Sequence, residues 1–453
     1  MSLESRSLNP LGRRTFIRSA AAAGVVLAGW KPTLGRGRSL EKFQVASIGV
    51  GGMGEVDVRE ISSHPSVVMV GLCDTDANNL GRASEKHPSA STYADFREMV
   101  IELGDGVDGI SITTPDHMHA AMAMTALNAD KHVYCQKPLA WSIHENRALA
   151  RAAAAKPQLA TQMGTQNASR VMKQRCMKAV SNGICGKVKA VHAWTDRPAG
   201  WWPQGNPRPE GSDPVPANLS WDLWLGVAPE RPYKDNAYHN FRWRGVRDFG
   251  CGALGDMGCH MSDAAFQPLD LGNPKTVICI GDDGTSDQFP SKERVRMVLP
   301  GNKYSEGEDI MFHWSDGKML PDPESMGLAA DTKLPYNVVV IEGERGSLMV
   351  PETGSEWAFY RKGMQRPIDL PEARGGNHWH LWVDRAMGQG EPCLSPFEYG
   401  GKVTETLAIG AVASRFPNET LEWDAEAMKF TNKPEANAFV TRTYRDGWEV
   451  EGL

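Results

Sequence analysis

Between residues 43 and 163 the chain alternates short apolar runs with longer stretches in which apolar residues recur at helical spacing. The short runs predict buried strands, and the longer stretches predict helices. Strands that alternate with helices are typical of a parallel, doubly wound sheet. The predicted strands are 43–48, 67–73, 109–113, 131–134 and 159–162, and the predicted helices are 52–62, 76–86, 94–103, 117–128 and 142–155.

After residue 164 the pattern changes, because predicted strands now follow one another instead of alternating with helices. The elements are a helix at 168–182, a strand at 187–194, a Pro- and Trp-rich segment at 197–238, a helix at about 254–267, strands between 274 and 360, and helices at about 376–388 and 396–415. Consecutive strands favour an antiparallel sheet. We therefore predict an α/β domain at 41–165 and, at 166–453, a C-terminal α+β domain with a large, mostly antiparallel open sheet for substrate binding and oligomerisation.

A glycine-rich turn, G-x-G-x-x-G, follows the first predicted strand. It contains Gly49, Gly51, Gly52, Met53 and Gly54. Between a strand and a helix, this spacing is typical of a Rossmann dinucleotide site. Its first glycine makes the tight turn, its second lets the backbone approach the pyrophosphate, and its third lets the helix pack on the strand. The helix N-terminus adds free N–H groups for an anion.

Asp74 ends the second predicted strand, about 20 residues after the last glycine of the turn, where an acid can bind the adenosine ribose. A carboxylate there repels a 2′-phosphate, so the sequence favours NAD over NADP. The alternative is an ordinary strand–helix turn followed by a solvated aspartate.

Two further loops fall at predicted strand ends, which is where ligands bind in doubly wound sheets. One carries Thr114, Pro115 and His119, and the other carries Gln136 and Lys137. We expect all five residues to line the nucleotide pocket. His117 and His119 are too divergent at i and i+2 of a helix to favour a metal pair, and no metal site is predicted.

Net charge is −6, but residues 1–42 carry eight Lys or Arg and two Glu, so the remainder carries −12. An acidic body argues against nucleic acid or an anionic membrane surface as the main partner. The eight cysteines form no CxxC pair, and we predict neither a disulfide framework nor a zinc site.

Residues 1–40 resemble an export signal rather than part of the fold. Arg13 and Arg14 precede a small, apolar run at 19–29 that is too short for an ordinary transmembrane helix. A twin-arginine pair before such a run predicts recognition by the Tat export machinery and a periplasmic location. Tat substrates are exported folded, so we expect a nicotinamide cofactor to travel already bound, and to be tightly bound. The alternative is a basic tail.

Five motifs together resemble the Gfo/Idh/MocA oxidoreductase family, the glucose–fructose oxidoreductase and inositol dehydrogenase group. They are GVGGMG at 49–54 with Asp74, TPDHMH at 114–119, QKP at 136–138, GTQNAS at 164–169 and GALGDMGCH at 252–260. The resemblance implies an NAD(P)-dependent enzyme, a dimer or tetramer, that acts on a sugar or polyol. It also implies that Lys137, Asp256 and His260 surround the reacting hydroxyl. Gln136 departs from the family's usual Glu-Lys-Pro.

Asp256 and His260 are four residues apart in a predicted helix, so their side chains share one face. Such an aspartate can orient an imidazole, and an imidazole can take a hydroxyl proton near neutral pH. We interpret His260 as the general acid/base, Asp256 as its orienter and Lys137 as a donor to the hydroxyl oxygen. Spacing alone favours an ordinary surface Asp–His pair, or a core His satisfied by an Asp, and the family resemblance is what favours the catalytic interpretation.

Candidate substrate residues are fewer and rest on weaker patterns. Trp202 and Arg244 belong to a segment, 194–243, in which Trp faces and Arg side chains could bind a sugar or could pack a loop. Gln166 lies in the GTQNAS motif, and His378 could reach the substrate from a late helix.

Three functions remain open at this stage. The first is an oxidoreductase acting on a sugar, polyol or glycoside hydroxyl. The second is a glycosidase that oxidises its sugar transiently and regenerates NAD in each turnover. The third is a catalytically silent sugar-binding protein. Net NADH formation distinguishes the first from the second, and the presence of Lys137, Asp256 and His260 counts against the third.

Overall fold

The computed structural model describes residues 42–281 and 283–453. Its first sheet has six parallel strands. Their order is β3-β2-β1-β4-β5-β6. The strands are β1 Phe43–Ile48, β2 Val67–Cys73, β3 Ser91–Tyr93, β4 Gly109–Ile112, β5 His132–Cys135 and β6 Thr161–Met163. This order confirms the predicted doubly wound sheet. Only β3 was not predicted, because this exposed edge strand has no apolar run.

Five helices connect these strands: α1 Met53–Ser62, α2 Ala77–Lys86, α3 Phe96–Leu103, α4 Asp116–Asn128 and α5 Ile143–Ala155. Their starts have local causes in the sequence. The Asp76 and Asp95 side chains accept hydrogen bonds from backbone N–H groups in the first turns of α2 and α3. At α5, Ser142 and Glu145 form a reciprocal capping box.

The second sheet has ten strands in the order β14-β13-β12-β11-β7-β10-β9-β8-β15-β16. They are β7 Val188–Thr195, β8 Thr276–Ile280, β9 Arg294–Pro300, β10 Asp309–Ser315, β11 Asn337–Gly343, β12 Gly346–Pro351, β13 Ala358–Arg361, β14 Met364–Arg366, β15 Thr420–Asp424 and β16 Lys429–Phe430. β7 and β10 pair in parallel, and the other neighbours that form ladders pair antiparallel. The prediction of a large, mostly antiparallel sheet is confirmed.

The remaining helices are α6 Val171–Ser181, α7 Trp221–Leu225, α8 Gly252–Leu269, α9 His378–Ala386 and α10 Phe397–Ala413. α8 is buried along almost its whole length and packs on α6, α10 and strands β7 and β11. α9 instead returns to the first sheet, where Trp382 meets Phe43 edge-on at 5.5 Å. Since α9, from the second half of the chain, packs on the first sheet, the domain boundary between residues 165 and 166 stays a prediction.

The predicted export signal at 1–40 lies outside the described residues. Within those residues, no helix is long and apolar enough to cross a membrane. All eight cysteines are buried and free, so the thiols behave as small apolar side chains in the core.

Candidate functional site

Most of the predicted site residues lie where the strand order of the first sheet reverses, between β1 and β4. The loops after β1, β2, β4 and β5 open there into a cleft of about 730 Å³, which we call the main cleft. A crevice at the carboxyl ends of the strands, beside such a reversal, is where doubly wound sheets bind ligands. Residues from 197–256 close the opposite side of this cleft.

The glycine turn has the geometry that its spacing predicts. Gly49 has φ +77°, and a Cβ there would lie 2.3 Å from the Thr113 carbonyl oxygen. A Cβ on Gly54 would lie 2.0 Å from the Gly49 carbonyl oxygen, so this glycine allows α1 to start against β1. Gly51, Gly52 and Met53 line the main cleft at the N-terminus of α1. Backbone N–H groups at that end suit an anionic diphosphate.

Asp74 lines the same cleft at the end of β2. Its carboxylate accepts hydrogen bonds from the backbone N–H groups of Val50 and Asp76, both at 2.9 Å. Burial raises the pKa of Asp74, while these hydrogen bonds oppose that rise. The aspartate is therefore held rigidly beside the glycine turn, in the position that suits a ribose hydroxyl pair.

A loop from the second half of the chain is hydrogen-bonded over this end of the cleft. The Ala77 N–H donates to the Asn218 carbonyl at 2.8 Å, and the Ser220 N–H donates to the Thr75 carbonyl at 2.9 Å. Asn218 and His239 also donate to the two carboxylate oxygens of Asp76, at 2.7 and 3.0 Å. Four hydrogen bonds thus join residues 218–239 to the loop that follows Asp74.

Lys137 and Asp256 meet across the main cleft, although 119 residues separate them. Lys137 Nζ donates to Asp256 Oδ1 at 2.7 Å and to the Asp256 carbonyl oxygen at 3.0 Å. Arg244 Nε and Arg197 Nη1 approach the same carboxylate at 3.3 and 3.4 Å. Burial works against the charge of Asp256, but the attraction of these three cations outweighs it and holds the pKa of Asp256 well below its usual range.

His260 follows Asp256 by one turn of α8, and both residues line the main cleft. Burial, with the positive charges of Lys137 and Lys173, lowers the pKa of His260 well below its usual value, so the imidazole is neutral at neutral pH. Its Nδ1 is buried without a hydrogen-bond partner. The predicted role of Asp256 as orienter of His260 is therefore corrected, because the carboxylate bonds to Lys137 and the arginines.

Gln136, the departure from the family motif, has its own buried partner. Its Nε2 lies 2.9 and 3.2 Å from the two carboxylate oxygens of Asp57 on α1. Thr113 Oγ1 and Trp379 Nε1 donate to the same carboxylate at 2.7 and 2.8 Å. Asp57 is fully buried, and burial raises its pKa to about 6 despite these bonds. Gln136 thus supplies an amide donor where a glutamate would face another acid.

Aromatic side chains of the main cleft stack on the two arginines that contact Asp256. The guanidinium of Arg197 lies 4.0 Å from the ring centre of Trp201, and that of Arg244 lies 4.0 Å from Phe241 and 4.3 Å from Trp243. All five side chains line the main cleft. Trp201 is 52% exposed, and Arg197 covers one face of its ring.

Four of the predicted site residues lie outside the lining of the main cleft. Gly54 serves the packing of α1 described above. His119 is buried and bonds to the carbonyls of Pro138 and Thr114, at 2.7 and 2.9 Å. Trp202 points into the protein and donates to Gln204 at 2.7 Å. His378 bonds to Ser169 Oγ and to the Met163 carbonyl, at 2.6 and 2.9 Å. The last three are corrected from ligand-binding to structural side chains.

Thr114, Pro115, Gln136 and Gln166 do line the main cleft, and so do Arg244 and the catalytic candidates. Five residues in or beside the site were not predicted as site residues: Asp57, Asp116, Arg197, Trp201 and Glu352. Arg197 and Trp201 lie in the Trp- and Arg-containing segment 194–243, so composition indicated the segment but not which of its residues face the cleft. Asp57 and Glu352 had no signal, because their partners come from distant elements. Among the described residues no group of three or more acidic, His or Cys side chains could hold a metal.

Two family models match the chain. The N-terminal model, described as an oxidoreductase family with an NAD-binding Rossmann fold, matches residues 43–164. The C-terminal model of the same family, an alpha/beta domain, matches residues 172–314, so the two together match more than half of the chain. The chain belongs to the GFO/IDH/MocA oxidoreductase family.

The relatives that are similar to this chain in sequence include enzymes of two classes. A glycosyl hydrolase family 109 protein of Saccharopolyspora erythraea is 31% identical over 169 residues, which are 31% of this chain and 36% of that protein. An inositol 2-dehydrogenase of Rubrobacter xylanophilus is 27% identical over 155 residues, which are 34% of this chain and 44% of that enzyme. The chain therefore spans less than half of the length of these relatives.

A solved structure confirms the fold over a longer range. The WlbA dehydrogenase of Bordetella pertussis, in complex with NADH and UDP-GlcNAcA, aligns with a TM-score of 0.58 and 17% identity over 84% of this chain and 99% of that one. At this identity the likeness shows the fold. The NAD-binding Rossmann domain of the family indicates a nicotinamide cofactor for this member.

Proposed function

We propose that this protein oxidises a hydroxyl group of a sugar, polyol or glycoside with NAD as the hydride acceptor. One observation carries the proposal. Lys137 Nζ lies 2.7 Å from Asp256, one helical turn from a neutral His260, in the same cleft as the glycine turn and Asp74. A base, a cation and a dinucleotide site thus share one enclosure, as hydride removal from a hydroxyl-bearing carbon requires.

Each side chain has a separate task in this reaction. The imidazole of His260 accepts the hydroxyl proton, which it can do because it is neutral at neutral pH. Lys137 donates to the hydroxyl oxygen and stabilises the negative charge that develops as the proton leaves. Asp256 holds the ammonium in place through the 2.7 Å bond. Bound NAD would supply the hydride acceptor for the same carbon, so that the products would be a carbonyl group, NADH and a proton.

The residues of the main cleft fit a nicotinamide dinucleotide. The cradle at Gly49 would be filled by a Cβ, which would lie 2.3 Å from Thr113. Gly51, Gly52 and Met53 would hold the diphosphate, and Asp74 would hold the adenosine ribose. NAD is favoured over NADP because the buried Asp74 carboxylate would repel a 2′-phosphate.

The second candidate is a glycosidase that oxidises its sugar transiently. The hydrogen bonds from Asn218, Ser220 and His239 over the loop after Asp74 favour it, because they would restrict release of a bound dinucleotide. In this reaction the new carbonyl acidifies the neighbouring C–H, the aglycone leaves by elimination, water adds, and the hydride returns to the sugar. Retained cofactor serves this cycle without an external oxidant.

A single experiment separates the two candidates. The purified protein is denatured and its released nucleotide is identified, and the native protein is then assayed with free sugars and with aryl glycosides. Net NADH with free sugars supports the dehydrogenase, whereas aglycone release without net NADH supports the glycosidase. Lys137→Met should lower either activity about 10²–10³-fold. The matched control Lys189→Met, which removes a half-exposed lysine of the second sheet, should leave it intact. Full activity of Lys137→Met with every substrate would contradict both candidates.

We also propose that the protein is exported through Tat with its cofactor bound, on the strength of Arg13, Arg14 and the apolar run after them. Replacing both arginines with lysine should leave the folded protein in the cytoplasm, which cell fractionation measures. Export that continues unchanged would refute this location. The expected dimer or tetramer stays a prediction.

A further inference from the structure

The part of the main cleft around Asp256, which we call its substrate end, holds more positive charge than the Asp256 carboxylate balances. Lys137 contacts Asp256 at 2.7 Å, the length of a charge-assisted hydrogen bond. Arg244 and Arg197 stand further off, at 3.3 and 3.4 Å. One short ion pair already balances the aspartate, so the two arginines contribute surplus charge to this part of the cleft.

Both guanidinium groups are held ready by aromatic rings. Arg197 lies over Trp201, and Arg244 lies over Phe241 and Trp243, all at 4.0 to 4.3 Å. Their side chains are only 21% and 17% exposed. Stacking fixes a guanidinium plane, which lowers the entropy lost when it binds a ligand.

The donors of these arginines are not fully used within the protein. Arg197 Nε is buried without a hydrogen-bond partner among the described residues. Arg244 directs Nε to Asp256 and Nη1 to the Phe241 carbonyl, at 3.3 and 3.1 Å. A buried guanidinium donor without a partner costs free energy, and a bound anion would supply the missing acceptor.

Other acids along the main cleft offset this surplus only in part. Burial raises the pKa of Asp116 to about 7, so this carboxyl carries only part of a charge at neutral pH. Glu352 keeps its charge, but its two oxygens accept hydrogen bonds from the amides of Asn167 and Asn337, at 2.8 and 2.9 Å, rather than from either arginine. Asp74 lies at the other end, beside the glycine turn.

We propose that the substrate is a sugar acid, a uronic acid or a glycoside of one, whose carboxylate binds Arg197 and Arg244. A carboxylate matches the planar guanidinium fork in shape and charge. The proposal rests on the proposed function, since it names the substrate class of the same site. It adds a ligand group that neither Lys137 nor His260 recognises.

Binding is measured by calorimetry on the holoprotein, so the test does not depend on turnover. Glucuronate and galacturonate are compared with glucose and galactose, and the phenyl glucuronide with the phenyl glucoside. We expect the acids to bind at least about tenfold more tightly, as one charge-assisted hydrogen bond allows, and the difference to shrink with added salt. Equal affinity of acids and neutral sugars would overturn the proposal.

Variants assign the effect to the two arginines. Arg197→Gln and Arg244→Gln should each weaken binding of the acids about 10- to 100-fold and weaken binding of the neutral sugars less. Arg244→Lys keeps the charge but lacks the planar fork, so its affinity for the acids should lie between those of the native protein and of Arg244→Gln. Such an intermediate affinity separates loss of recognition from misfolding. The matched control Arg59→Gln, on the exposed face of α1, should bind acids as the native protein does.

The outcomes distinguish this proposal from the proposed function. Acids that bind through both arginines without any redox or glycosidase turnover would contradict the function and support the anion site. Turnover of neutral sugars with no preference for acids would do the reverse. Tight binding of a sugar sulfate but not of the uronates would overturn the assignment of a carboxylate.

Discussion

Gln136→Glu restores the usual family residue and should destabilise this particular protein. The Gln136 amide lies 2.9 Å from a carboxylate oxygen of Asp57, and both side chains are buried. Glutamate at this position would replace the donor with a second acid at hydrogen-bond distance. Thr113 and Trp379 already donate to Asp57, so the aspartate cannot turn away without losing those bonds.

The expected cost follows from the contact distance. Two unit charges about 3 Å apart repel by about 5 kcal/mol at an effective dielectric constant of about 20, which is an upper limit here. The pair avoids most of that cost by retaining one proton, as the pKa of about 6 for Asp57 alone already indicates. Loss of the amide–carboxylate bond costs about 1.5–3 kcal/mol. We therefore expect the variant to be less stable by about 2–4 kcal/mol at about pH 8.

The sign of the pH dependence is fixed by the direction of the shift. A carboxyl whose pKa is higher in the folded than in the unfolded state contributes stability that is lost as pH rises through the folded pKa. The deficit of Gln136→Glu should thus be small at about pH 5.5, where the pair shares a proton, and should grow towards about pH 8.

Denaturant unfolding of the apoprotein at both pH values measures this deficit. The double variant Asp57→Asn/Gln136→Glu restores an amide–carboxylate pair with the partners exchanged, so it should recover most of the lost stability. A Gln136→Glu variant as stable as the native protein at the higher pH would refute the contact between these side chains. So would a double variant no more stable than the single one.

Three further predictions concern the cofactor turn and the catalytic group. Lys137→Met should lower kcat about 10²–10³-fold, the cost of one lost donor to a developing oxyanion, while the denatured protein still releases its nucleotide; loss of the nucleotide would indicate a binding role instead. Gly49→Ala should unfold at a lower denaturant concentration and lose nucleotide, because its Cβ would lie 2.3 Å from the Thr113 carbonyl oxygen. The control Gly81→Ala, whose Cβ would point into open space on α2, should raise the free energy of unfolding by about 0.5–1 kcal/mol. The ¹⁵N resonances of His260, assigned through His260→Gln, should show a neutral ring at about pH 6, below its usual pKa; a charged ring there would contradict the burial seen here.

Sequence predicted the first sheet well because buried parallel strands are continuous apolar runs. β1, β2, β4, β5 and β6 all coincide with such runs. Three of the helices between them, α2, α3 and α5, begin at side chains that cap locally. β3 escaped because an exposed edge strand, Ser91–Tyr93, is held by backbone pairing with β2 rather than by its own side chains.

The site was predictable only where its chemistry is local in sequence. The glycine turn connects the adjacent elements β1 and α1, and the Asp256–His260 spacing lies within α8, so pattern alone identifies both. Neighbouring tryptophans are different, because nothing in the sequence tells which of Trp201 and Trp202 faces the cleft. His378 and His119 attracted attention as titratable groups, yet carbonyl and hydroxyl partners from distant loops make them structural.

The charges around His260 also tie substrate binding to base strength. Lys137, Lys173 and Arg197 each lower the pKa of His260, in addition to its burial. A base weakened in this way accepts a hydroxyl proton only if the pKa of the hydroxyl is lowered too. The ammonium of Lys137 lowers the pKa of the imidazole and also that of the hydroxyl to which it donates. A substrate carboxylate bound at Arg197 would cancel one of the positive charges that weaken the imidazole. The pKa of His260 should therefore be higher with a sugar acid bound than with a neutral sugar, so that the base reaches its full strength only when the correct ligand is in place.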